Sequence, residues 1–174
     1  MKSNKGVSYI ELLVAIVIIG IAVTLVSMSI SAIFSLNARQ CAKKTASLLS
    51  QCKVDAMSRT GDNYLMIFKN SDGIYARYYI NDIPREDELI GKSSLNFSCT
   101  GTDGNSYSDE DIFISFDRTS GAFLPIKESA ALAGVSLPAL SDDVYYDGIT
   151  VSSGGKAYTV RMVPSTGKFS VVVS

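Results

Sequence analysis

Lys5-Gly6-Val7-Ser8-Tyr9-Ile10-Glu11-Leu12-Leu13-Val14-Ala15-Ile16 opens the stretch that decides the fold. Behind a short basic leader carrying Lys2 and Lys5, one carboxylate stands at the head of an apolar run, and the 27 residues from Leu12 to Ala38 carry no charge. Such a run exceeds the ~20 residues a membrane-crossing helix needs, and the two lysines favour a cytoplasmic start. A secretory signal has a shorter apolar core followed by its cleavage site; here the polar step Lys5-Gly6 precedes the core, so cleavage belongs ahead of the helix. The expectation is a single-pass membrane protein with a cytoplasmic N-terminus and an extracytoplasmic head. Glu11 is the only charge between Lys5 and Arg39. A carboxylate at membrane depth is costly alone, and its natural partner is a cation held at the same depth in a neighbouring chain.

Downstream of this run the helical pattern continues but becomes amphipathic. Ala38, Cys41, Ala42, Thr45, Leu48, Leu49, Cys52 and Ala56 recur at three- and four-residue steps, while Arg39, Lys43, Lys44, Lys53 and Arg59 fall largely off that face. No proline occurs before Pro84, and Gly61 supplies a stop. One helix from about Val7 to Arg59 would be roughly 80 Å long at 1.5 Å per residue.

After Gly61 the pattern shortens to β-rich runs separated by turn residues. Tyr64–Phe68, the turn Asn70-Ser-Asp-Gly73 and Ile74–Ile80 read as a hairpin. Further strand candidates are Leu95–Cys99, Ile112–Phe116, Ala122–Ile126, Ile149–Ser152, Ala157–Val163 and Phe169–Val173. Arg85–Lys92, Thr100–Asp111 and Lys127–Asp147 read as loops, with a short helix at Glu128–Ala133. The fold class is therefore α+β: a long N-terminal helix, with a membrane half and an amphipathic half, packed on an antiparallel β-rich globular head. The chain divides into a leader at 1–6, a transmembrane helix at 7–37, an amphipathic half at 38–61 and the head at 62–174.

Composition narrows the chemistry. Histidine is absent from the 174 residues, which removes Ser-His-Asp triads, Cys-His pairs and imidazole metal ligands. No catalytic residue, cofactor or metal site is assigned, and the chain is not read as an enzyme. Cys41 and Cys52 lie about 16 Å apart along the helix axis and cannot bridge each other. A disulfide from Cys99 to Cys41 or Cys52 is open to an extracytoplasmic head, against three small buried thiols. Asp103-Gly-Asn105 with Asp109-Glu-Asp111, and Asp142-Asp143 with Asp147, form acidic loops, but the calcium-loop pattern fails because its glycine would fall on Ser108 and its glutamate on Ile114. From Arg39 to Arg59 there are five basic residues and one acidic; from Thr60 to Ser174 there are nine basic and fifteen acidic, so the head is at about −6. That field opposes nucleic acid, although Lys156, Arg161 and Lys168 offer a small basic patch.

The quoted leader, with a basic segment ending in Gly6, a Glu five residues beyond it, the pair Leu12-Leu13 and a long aliphatic helix, resembles the class III leader of type IV pilins and type II secretion pseudopilins. The resemblance implies a pilin fold, cleavage of the Gly6–Val7 bond by a prepilin peptidase, N-methylation of Val7, and a role for Glu11 in pairing with an N-terminal amine during assembly. Val7 stands where the family usually has Phe, and Ser8-Tyr9 where it has Thr-Leu. Ile114-Ser-Phe-Asp-Arg-Thr-Ser-Gly121, Ile149-Thr-Val and Tyr158–Val171, with Thr166-Gly167-Lys168-Phe169 at the last hairpin, are similar to the GspH/FimT group of minor pseudopilins and pilins, in which an N-terminal helix lies on two β-sheets. Together these resemblances imply a minor pilin or pseudopilin subunit at the cell surface or in a periplasmic filament. Its implied partners are other subunits, the peptidase, an inner-membrane assembly platform and, before assembly, membrane lipid. The alternative they leave open is a surface-exposed adhesive or DNA-binding pilin of an uptake system.

Overall fold

The computed structural model describes residues 9–58, 61–108 and 111–173; the side chains of 25–34 are not among those described. Helix α1 spans Tyr9–Ser58. Its second half buries Ser35, Ala38, Cys41, Ala42, Thr45, Leu49, Cys52, Asp55 and Ala56, at the three- and four-residue spacing that places side chains on one stripe. Most of these are small, so the helix lies close on its neighbours. The buried Thr45 hydroxyl donates to the carbonyl of Cys41 at 3.0 Å, which removes the cost of an unpaired polar group. Leu48, placed on this face by periodicity, is only partly buried and packs at the margin of the core.

Two antiparallel sheets receive that stripe. Sheet A has the order β3-β2-β1-β6, with β4 also paired to β2; its strands are β1 (Asn63–Lys69), β2 (Gly73–Ile80), β3 (Ile83–Pro84), β4 (Glu88–Lys92) and β6 (Ile112–Ser115). Sheet B has the order β5-β7-β8-β9, built from β5 (Asn96–Gly101), β7 (Tyr146–Ser153), β8 (Lys156–Val163) and β9 (Lys168–Val173). In the β1–β2 turn, the Asn70 side-chain oxygen accepts from the Asp72 and Gly73 amides at 2.9 and 3.0 Å, the local bonding that favours Asn at such positions. The main core joins α1 to Leu65, Ile67, Ile74 and Ile114 of sheet A and to Ile149, Val151, Val160 and Met162 of sheet B. A second helix, α2 (Ile126–Leu132), covers the opposite face of sheet A, where Tyr64 and Phe113 pack with Ala130.

Three expectations are corrected here. Among the described residues no helix is long and apolar enough to cross a membrane. The fold class with a membrane half, and the single-pass placement drawn from it, therefore do not stand. What the structure has is an α+β arrangement of antiparallel sheets against one face of α1. Second, Arg85–Lys92 is not all loop: β3 and β4 add to the free edge of β2. Third, Ala122–Ile126 forms only a single bridge, Phe116 with Phe123, because Pro125 ends the extended segment and Ile126 begins α2.

Candidate functional site

The candidate site is the free half of α1. All described side chains from Tyr9 to Thr24 are exposed. They include eleven large apolar ones, among them Ile18 and Ile19, each 61% exposed on adjacent positions of the helix. A helix that is apolar all round is stable in water only when something covers it. Covering these side chains is worth roughly 1 kcal/mol or more apiece, on the order of ten in total. Gly20 meets nothing within 4 Å, which leaves room for another backbone to approach. Glu11 occupies the first turn of α1, where a carboxylate also suits the helix dipole. Gly6 and Val7, the expected cleavage and methylation positions, lie outside the described residues.

Two lysines fix how this half leaves the head. Lys44 Nζ donates to the Leu89 carbonyl of β4 at 2.8 Å and lies 3.8 Å from Glu88. Lys53 Nζ donates to the carbonyls of Thr166 and Gly167 at 3.2 and 2.9 Å and sits 6.0 Å above the Phe116 ring. Sequence reading placed both lysines off the packing face, which is correct, but did not see that their long stems reach carbonyls of strand β4 and of the β8–β9 turn, far along the chain. Lys53 stands where the two C-terminal motifs meet. A Cβ on Gly167, whose φ is +58°, would lie 1.7 Å from the Gly121 carbonyl oxygen, and one on Gly121 would meet Met57 at 2.8 Å and Lys53 at 2.9 Å. The rings of Phe116, Phe123 and Phe169 close this junction, with centroids 4.5 and 6.3 Å apart.

The remaining sequence candidates are dispersed. Cys41, Cys52 and Cys99 are all free and buried, so of the two alternatives left open for Cys99 the structure has the three buried thiols and neither disulfide. Cys41 lies under Gly91 of β4, Cys52 Sγ points to the Ile114 carbonyl of β6 at 3.9 Å, and Cys99 belongs to β5 at the edge of the other sheet. Burial pushes the Cys41 thiol up to about 11, against the nearby Lys44 charge, and drives Cys52 and Cys99 higher still. All three are therefore protonated and weakly nucleophilic near neutral pH. The basic trio does not form one patch. Arg161 and Lys168 neighbour each other across the β8–β9 pairing through Val163, whereas Lys156 sits at the opposite end of β8. In the first acidic loop Asp103 is occupied by the Asn105 amide and the Tyr107 hydroxyl, at 3.0 and 2.8 Å. Among the described residues no three Asp, Glu, Cys or His side chains are grouped to hold a metal ion. The chain matches no protein-family model, no curated protein and no solved structure.

Proposed function

We propose that the chain is a filament subunit of the minor pilin or pseudopilin kind, cut by a prepilin peptidase between Gly6 and Val7 and assembled through its N-terminal helix. One observation carries the reading: the exposed segment Tyr9–Val23, apolar apart from Glu11, continues directly into a helix half anchored in the head. Bundling such segments from several subunits satisfies their apolar surface and leaves each head at the filament's outside. Cleavage hydrolyses the Gly6–Val7 amide and frees the Val7 amine. Within an apolar bundle that amine, on the same or an adjoining subunit, is the cation that offsets the Glu11 carboxylate, and their pairing sets the axial register of an incoming subunit. The platform and peptidase of such a system are the partners this reading requires. An adhesive or DNA-capturing role gains no support from the dispersed cations.

Intact-mass measurement of the protein from its native host tests this. Loss of Met1–Gly6, blocked by Gly6→Leu, is expected. Glu11→Val should be cleaved normally and keep head stability while entering filaments poorly. A mature chain still beginning at Met1 in the presence of the peptidase overturns the assignment.

A further inference from the structure

A second feature of the head is lined by no residue of α1. The β5–β6 connection and the α2–β7 connection enclose two adjoining hollows of about 360 and 290 Å³, which share Tyr107 and Leu137. Phe113, Ile126, Val135 and Tyr146 line the first, and Pro138 and Leu140 the second. The walls are set by backbone bonds: the Tyr107 amide to the Cys99 carbonyl at 2.8 Å, Val135 to Ala130 at 3.0 Å and Leu140 to Leu137 at 3.2 Å. Tyr107 and Tyr146 meet edge to face at 5.9 Å, and the Tyr107 hydroxyl is fixed by Asp103. The groove is apolar, aromatic and preformed, the character of a ligand site rather than of a solvated loop.

Its charge chooses the occupant. The described residues of the β5–β6 connection include Asp103 and Asp111 and no base, and the α2–β7 connection carries Asp142 and Asp143 and no base. Asp111 lines the groove itself. Lys127 of α2 is engaged by Asp142 at 2.7 Å. An anion is repelled here, and an apolar floor gives a bare metal ion nothing to bind. We propose that this groove docks a cationic peptide segment of another protein, whose apolar side chains fill the two hollows while its lysines or arginines face the acidic loops and the Tyr107 ring.

The test uses the full chain in a non-ionic detergent and three labelled hexapeptides, alternating Lys–Leu, Glu–Leu and Lys–Ser, read by fluorescence anisotropy. The Lys–Leu peptide should bind, and the other two should bind at least about tenfold more weakly. Raising salt from about 50 to 500 mM should weaken the Lys–Leu complex about tenfold. Val135 is 37% exposed. Val135→Arg should cost about tenfold in affinity with an unchanged melting temperature, and Asp111→Asn combined with Asp143→Asn about threefold, through the electrostatic share of binding. Equal binding of the Lys–Leu and Glu–Leu peptides, or of the wild type and Val135→Arg, overturns the proposal. So does sedimentation showing that Val135→Arg dissolves an oligomer while no peptide binds, for the groove would then belong to a second copy of the chain.

Discussion

Between Tyr9 and Thr24 every described side chain of α1 is exposed, whereas between Ser35 and Ala56 the buried positions form one narrow stripe of mostly small residues. Both regions are one helix. The first carries branched aliphatics on all sides, which suits several neighbours at once. The second carries Ala38, Cys41, Ala42, Thr45 and Cys52 on a single side, which lets two sheets approach closely while charges remain in water. Helical backbone thus says little about environment; side-chain size and its angular distribution decide whether a segment belongs to its own head or to other chains.

Deletion breaks this comparison most forcefully. Removal of residues through Ser31 should leave a head that unfolds cooperatively, whereas removal through Gly61 strips Leu49, Cys52 and Ala42 from the core and should abolish the transition. The lost burial, at about 1.5–3 kcal/mol for a large side chain, is a substantial share of a domain stability of ~5–15 kcal/mol. A shorter chain that melts as cooperatively as the longer one would show that α1 is not part of the fold.

Paired substitutions sharpen it. Leu49 is fully buried and Ile18 is 61% exposed. Leu49→Ala should lower the unfolding free energy by about 2–5 kcal/mol, and Ile18→Ala should change it by no more than ~0.5, both read from denaturant melts. Similar losses at the two positions would mean that the first half also packs on the head.

The smallest effect concerns the turn that meets the end of the buried half. Hydrogen bonds from the Ser120 and Thr119 hydroxyls and the Ser120 amide, at 2.6, 2.7 and 2.7 Å, hold the Asp117 carboxyl down to about 2. A carboxyl lowered on folding contributes stability that is complete above its unfolded value near 4 and fades as pH falls through the folded one. The melting-temperature gap between wild type and Asp117→Ala should therefore be flat from about pH 7 to 5 and should close between about pH 4 and 2. A gap that persists unchanged at about pH 2 would assign the effect to packing instead.

Legibility in the sequence follows the range of the interactions. The packing stripe was readable because Ala38 to Ala56 repeat at helical spacing, and the first hairpin because Asn70 to Gly73 encode their own turn. Strand β4 was not: Glu88-Leu-Ile-Gly-Lys92 buries only Ile90 and packs under α1, where a Cβ on Gly91 would stand 2.8 Å from the Cys41 sulfur. Pairing with β2, not local composition, makes it a strand. Of the candidate site, the apolar run and Glu11 were plain from hydropathy. The clamps of Lys44 and Lys53 were hidden because their acceptors lie 45 and 113 or 114 residues away. The groove was equally hidden, since Tyr107 and Leu137 meet only after both loops fold.

The uninterrupted course of α1 has a geometric consequence for any assembly that grips its first half. Head and free segment are geared together at 100° and 1.5 Å per residue. One alanine inserted after Thr24 would swing the whole head about a quarter-turn around the helix axis without altering a single contact inside it. Two insertions would carry it past half a turn, and four would bring it back to within about 40° of its starting azimuth, displaced by about one turn's rise. The spacing between Thr24 and Ser35 is therefore an angular setting, and the surface a head shows to its neighbours is dialled by length there, not by chemistry.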